Sequence, residues 1–187
     1  MVLIIAEAGV NHNGCLDTAK KLIDVAVKSG ADVVKFQTFK SDDLTTDIAP
    51  LAEYQLKNSH ELINQKTLLQ KLELNENSHK ILKDYSIKAG IEFLSTGFTL
   101  ESIDLLSKIG LDRWKVPSGE INNVPLLRKI ATKNQPVIIS SGMANLGEIE
   151  FALKVLYENK LDKEKISVLH CNTAYPTPME DVNLNAI

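Results

Sequence analysis

The sequence predicts an α/β chain with a parallel sheet, read as roughly the first six β/α units of a (β/α)8 TIM barrel. Three observations carry that expectation. Short apolar runs alternate with amphipathic segments from end to end. The apolar runs are nearly continuous, as strands covered by helices on both faces must be. No linker, low-complexity stretch or change of composition breaks the rhythm, so residues 1–187 are expected to form a single, incomplete barrel domain.

Taken in order, Leu3 to Ala8 reads as the first strand. Asp17 to Ser29 follows as a helix, with Leu16, Ala19, Leu22, Ile23, Ala26 and Val27 at helical spacing and Gly30 placed to stop it. Val33 to Phe39 is the second strand. A long excursion, Lys40 to Leu74, has one expected helix near Glu61 to Leu72 and little strand character; connections of that length are usually functional. Glu76 to Ala89 is a helix behind Asn75 and ahead of Gly90, and Ile91 to Thr96 is a strand. Leu100 to Ile109 is a helix between Thr99 and Gly110, and Arg113 to Pro117 a short strand. Pro125 to Lys133 starts with proline in its first turn, where the missing N–H does no harm. Pro136 to Ser141, Leu146 to Asn159 behind Asn145, and Ile166 to Cys171 complete the series, and Val182 to Ile187 looks like the start of a sixth helix. An open doubly wound sheet also fits this order. It is disfavoured because Gly9-Val10-Asn11-His12-Asn13-Gly14 stands where a G-x-G-x-x-G turn would be expected.

Composition removes several function classes. A net charge of −3 argues against a general nucleic-acid or acidic-membrane surface. Two cysteines, Cys15 and Cys171, lack the spacing of a metal or redox pair and read as reduced thiols, with Cys171 a buried apolar filler. Met1 to Ala6 has neither the basic flank nor the apolar length of a signal peptide, and no stretch approaches a membrane span, so a cytoplasmic protein is expected.

The chemistry is expected at the C-terminal ends of the strands. Those ends carry Glu7; Lys35, Gln37 and Lys40; Ser95 and Thr96; Lys115, Ser118 and Glu120; Ser140 and Ser141; and His170, Asn172, Thr173 and Tyr175. Lys35 and Lys115 stand out because both sit inside apolar strands. Desolvating an unpaired ammonium costs several kcal/mol, so each needs a partner. For Lys35 that partner is either a carboxylate of the fold, with Glu7 the evident choice, or an anionic ligand. Cations, hydroxyls and two carboxylates together suit a small multiply charged anion such as a phosphorylated carboxylic acid. Glu120 is placed to accept or donate a proton. Alternation puts Ser118 on the face opposite Lys115, with Pro117 and Gly119 expected to bend the chain and turn it inward. His12 and His170 read as loop and core histidines, because no second ligand stands at metal spacing.

Five segments, Ile5 to Gly14, Val34 to Lys40, Ser118 to Ile121, Ser141 to Ala144 and Tyr175 to Pro178, resemble in order and spacing the sialic acid synthases, including the N-acetylneuraminate and legionaminate synthases. The resemblance implies a transferase on a (β/α)8 barrel that condenses phosphoenolpyruvate with an N-acetylmannosamine-type sugar and releases phosphate. It assigns Lys35, Thr96, Lys115, Ser118 and Ser140 to phosphoenolpyruvate, and Gln37 and Tyr175 to the sugar. Glu7 and Glu120 become acid/base carboxylates, and Asn172 and Thr173 further substrate contacts. It further implies a divalent cation, Mn2+ or Mg2+, whose two histidine ligands would lie beyond Ile187, and a homodimer completed by a small C-terminal domain; this chain alone is then expected to be inactive. Three details depart from the pattern or single out a branch. Ser95-Thr96-Gly97-Phe98 stands where the family usually has Ser-Thr-Pro-Phe, and Asn172-Thr173 reverses an order seen in some members. Tyr54-Gln55-Leu56 with Lys71-Leu72-Glu73-Leu74 resembles the legionaminate branch. A Schiff-base aldolase using Lys115 and a non-catalytic sugar-acid-binding protein of surface polysaccharide biosynthesis remain the alternatives.

Overall fold

Six strands, each followed or preceded by helices, make up the protein in a computed structural model that describes residues 2–50 and 64–187. The chain divides into two compact units, Met1–Ser95 and Thr96–Ile187.

The first unit holds β1 (Ile5–Gly9), α1 (Leu16–Lys28), β2 (Val33–Thr38), α2 (Ser41–Leu44), α3 (Gln65–Leu72), α4 (Glu76–Ala89) and most of β3 (Glu92–Gly97). The sheet order is β1-β2-β3. β1 and β2 run parallel, pairing Ile5 with Val33, Glu7 with Lys35 and Gly9 with Phe36, and the register slips between Glu7 and Gly9. Such a bulge re-aims side chains at a strand end, and Gly9 there has φ +53°, a conformation that favours glycine. The core is aromatic where β2 and β3 meet α4: Phe36 stacks on Phe93 at 5.7 Å, and His79 of α4 meets Phe93 edge-on at 6.5 Å. α1 buries Ala19, Ile23 and Ala26, its i, i+4, i+7 stripe.

The expected helix Glu61 to Leu72 is seen from Gln65, behind an Asn64 side chain that accepts from the Thr67 N–H at 2.8 Å; residues 61–63, and the Tyr54-Gln55-Leu56 stretch, lie outside the described residues. α2 was not expected. Its first turn is held by Glu73, whose Oε1 accepts from the Ser41 N–H at 2.7 Å and the Ser41 hydroxyl at 2.6 Å. Lys66 adds ion pairs to Asp42 at 2.9 Å and Asp47 at 2.6 Å. The two described arms of the excursion are thus stapled together.

The second unit holds α5 (Leu100–Ile109), β4 (Trp114–Val116), α6 (Val124–Ala131), β5 (Val137–Ser140), α7 (Leu146–Glu158) and β6 (Ile166–Leu169). Its strands are parallel in the order β4-β5-β6, with Lys115 paired to Ile138 and Ser140 to Leu169. Trp114 is 1% exposed; its indole N–H donates to Gln135 Oε1 at 2.7 Å, and the Gln135 amide donates on to the Leu111 carbonyl. α7 opens with a capping box, Asn145 and Glu148 each bonding the other's backbone N–H.

The described strands form two three-stranded sheets and no closed barrel, as the expected six of eight β/α units require. One expectation needs correction. The helix expected over Val182 to Ile187 is instead a single 3-10 turn, Leu184–Ala186, preceded by another at Met179–Asp181; short polar residues offer no helical stripe there.

Candidate functional site

In the first unit the C-terminal ends of β1 and β2 bring three expected residues together. Lys35 lies 2.5 Å from Glu7, with side-chain exposures of 14% and 49%. The lysine's partner is thus a carboxylate of the fold, and the pair stays open to solvent on the glutamate side. A Cβ added to Gly9 would stand 3.2 Å from Glu7 Oε1 and 3.9 Å from Gln37 Nε2. The bulge glycine therefore lets the carboxylate and the amide approach the backbone from one side. Glu7, Lys35 and Gln37 share one face of the sheet by alternation.

The opposite face carries a polar chain. Thr38 Oγ1 lies 2.7 Å from His79 Nε2 and 2.6 Å from Ser95 Oγ, and His79 Nδ1 lies 2.9 Å from the Asn75 carbonyl. Thr38, His79 and Ser95 are all buried. His12, in the turn after β1, is also buried; its Nδ1 accepts from the Gly14 N–H at 3.0 Å, and its Nε2 has no hydrogen-bond partner among the described residues. Burial pushes the His12 pKa down, with the nearby His79 adding to the effect. Burial also lowers that of His79, against the raising influence of the Asn75 and Gln37 carbonyls.

In the second unit Lys115 is 8% exposed, and its ammonium donates to the Val116 carbonyl at 2.8 Å and to Ser140 Oγ at 2.6 Å. β4 ends at Val116, and after Pro117 the chain enters a 3-10 turn, Ser118–Glu120, so strict alternation no longer applies to Ser118. Glu120 Oε2 accepts from Asn123 Nδ2 at 2.7 Å, and Asn123 also caps α6 through the Leu126 N–H. The carboxylate expected to move a proton is thereby tied to the start of a helix. Asn172 Oδ1 accepts from the Ala174 N–H at 2.7 Å. Gly142 packs against the Asn172 backbone, and Ser141 Oγ donates to the Leu169 carbonyl at 2.6 Å. Thr96 is buried in β3; Thr173 and Tyr175 are exposed, Tyr175 at 84%.

Neither interior lysine points into bulk solvent. His12 lies in a turn, as expected of a loop histidine, though buried there; His170 is not a core residue but exposed, its Nε2 accepting from the Asn183 N–H at 3.3 Å. Cys171 is only partly buried. Sequence reading missed His79, Thr38 and Asn123. The one available signal was a histidine on the apolar stripe of the helix at residues 76–89. Among the described residues no group of three His, Cys, Asp or Glu side chains is arranged to hold a metal ion. No described helix is long and apolar enough to cross a membrane.

The NeuB family matches residues 22–187. The chain belongs to the NeuB family. The NeuB chain is 54% identical over 185 residues to the N,N'-diacetyllegionaminic acid synthase of Campylobacter jejuni subsp. jejuni serotype O:2, covering 99% of this chain and 55% of that protein. It is 49% identical over 187 residues to the synthase of the same name from Legionella pneumophila subsp. pneumophila, covering 98% and 52%. Among solved structures, an N-acetylneuraminic acid synthetase from Leptospira borgpetersenii serovar Hardjo-bovis, in complex with citrate, superposes with a TM-score of 0.84 at 33% identity, over 100% of this chain and 59% of that one. The NeuB chain spans about half the length of the curated relatives it matches.

Proposed function

We propose that the protein to which this NeuB chain belongs is a nonulosonate synthase that condenses phosphoenolpyruvate with an N-acetylated mannosamine-type sugar and releases phosphate. The observation that carries the reading is a lysine largely buried in a parallel strand of each sheet, Lys35 and Lys115, each within hydrogen-bond reach of a polar side chain at a C-terminal strand end. Relatives named as diacetyllegionaminic acid synthases make a diacetamido-trideoxy sugar the first substrate to try. The six β/α units then belong to a (β/α)8 barrel, an arrangement favoured by the 0.84 superposition.

In the first unit Lys35 grips the anionic end of phosphoenolpyruvate, Glu7 orients that ammonium and exchanges a proton with the sugar, and Gln37 contacts the sugar's polar groups. Thr96, Lys115, Ser118 and Ser140 hold the phosphate and carboxylate through charge-assisted hydrogen bonds. Asn172, Thr173 and Tyr175 face the remainder of the sugar. C3 of phosphoenolpyruvate adds to the open-chain aldehyde carbon, whose oxygen takes up a proton. The resulting cation at C2 takes water, which gives a proton to Glu120, and the tetrahedral adduct collapses to the ketone as phosphate leaves. A divalent cation, Mn2+ or Mg2+, and a homodimeric assembly are proposed for the whole protein.

The test is phosphate release from phosphoenolpyruvate by protein expressed from the complete reading frame, with N-acetylmannosamine and its diacetamido-trideoxy analogue as acceptors. Release that depends on the acceptor supports the reading, and no release with any N-acetylated mannosamine analogue overturns it. Borohydride trapping separates the aldolase alternative, because only an imine leaves a reduced adduct on Lys115.

A further inference from the structure

One set of proton positions satisfies the whole buried chain of the first unit. In the tautomer that donates from His79 Nδ1 to the Asn75 carbonyl, Nε2 presents a lone pair, with the Gln37 carbonyl as the competing acceptor for the ring hydrogen. That lone pair takes the Thr38 hydroxyl hydrogen, and Thr38 Oγ1 in turn takes the hydrogen of Ser95. The order runs one way, from Ser95 through Thr38 and His79 to the first turn of α4. The surrounding seam of Phe36, Phe93, Leu82 and Val34 is apolar. Stability alone does not call for polar groups there, since apolar side chains of the same shape would pack at similar free energy.

The chain attaches beyond the last β1–β2 pair. The β1–β2 register ends at Gly9 and Phe36, and Thr38 is the last residue of β2, two positions further on. Ser95 precedes Thr96 near the end of β3. Because side chains alternate, holding Thr38 against α4 sends Gln37 to the face where Glu7 and Lys35 pair, and holding Ser95 does the same for Thr96. A fully satisfied network of this kind fixes geometry more tightly than packing does.

We propose that His79 is a positioning residue, acting through the Thr38 and Ser95 hydroxyls to set the direction of Gln37 and Thr96. This rests on the substrate roles given to those two residues above. Gln37 is tied to the sugar and Thr96 to phosphoenolpyruvate, so the two arms of the chain should separate in kinetics.

The experiment measures KM for both substrates and kcat in the full-length enzyme, with folding checked by circular dichroism and a cooperative urea transition. His79→Leu is expected to raise both KM values roughly tenfold with little change in kcat, as lost ground-state contacts do. His79→Gln, which keeps an acceptor for Thr38 and a donor for Asn75, returns both toward wild type. Thr38→Val raises chiefly the sugar KM and Ser95→Ala chiefly that of phosphoenolpyruvate; this pair decides the question if His79→Leu does not fold. Unchanged KM values in folded His79→Leu, a His79→Gln enzyme as impaired as His79→Leu, or Thr38→Val and Ser95→Ala moving the same KM would each overturn the proposal and leave the synthase reading intact. A wild-type enzyme with no turnover overturns both.

Discussion

Replacing Gly14 by alanine should cost far more than the same change at Gly30. The two residues have nearly the same backbone conformation, with φ of +73° and +76°, but differ in what a Cβ would meet. At Gly30 there is nothing within 4 Å, whereas at Gly14 the added carbon collides with the Lys71 carbonyl oxygen at the end of α3. The left-handed conformation costs alanine about 1–2 kcal/mol, partly offset by about 0.4–1 kcal/mol of lost freedom in the unfolded chain. Gly30→Ala should therefore lose roughly 0.5–1 kcal/mol net. Gly14→Ala adds overpacking against backbone, which typically costs about 1–3 kcal/mol. The strain is relieved only by pushing α3 off the β1–α1 turn, the same turn whose Gly14 N–H bonds His12. Urea denaturation followed by circular dichroism gives the two free energies, and hydrogen exchange at the amides of Gln65–Leu72 reports local detachment. Equal midpoints for the two variants, together with unchanged protection across Gln65–Leu72, would refute the reasoning.

Lys35→Met should cost little stability, about 1 kcal/mol, because Glu7 is half exposed and regains water, yet lower phosphate release in the full-length enzyme on the order of 100-fold or more; comparable losses in both readouts would contradict the assigned role. His12 and His79 both have pKa values lowered by burial, so the unfolded chain binds protons that the folded one does not. Stability should be fully present above the unfolded-state value near 6.5 and fall as pH drops below it, by up to about 2.7 kcal/mol per pH unit for the two groups together. Urea titrations between pH 7.5 and 5 measure the slope, which His79→Gln should roughly halve. Gln135→Leu strands the buried Trp114 N–H and should lose about 1–3 kcal/mol in the same assay.

Local signals that act within a few residues were readable in the sequence. The helices at residues 76–89 and 100–109 have the expected bounds because Asn75 and Thr99 cap one end and Gly90 and Gly110, at φ +78° and +82°, stop the other. Glu7 was one of two partners open for Lys35, because a lysine in an apolar strand demands an anion and Glu7 lies on the neighbouring strand. Other signals that act across the chain were not readable. α2 depends on Glu73, 32 residues away, and its Ser-Asp-Asp-Leu carries no periodicity of its own. The Thr38–His79 bond spans 41 residues, and nothing around His79 announces which hydroxyl it would meet. His12 was readable as a loop residue but not as a buried one, since its ring packs 6.1 Å from Phe36 of the next strand.

The chain's single tryptophan lies in the second unit, deep beside β5. Its emission therefore reports on melting of residues 96–187 and is largely blind to the half that holds Glu7, Lys35 and the two buried imidazoles. Ellipticity sees both halves. Any temperature or urea concentration at which the two signals part company would mark one half of this protein coming undone before the other.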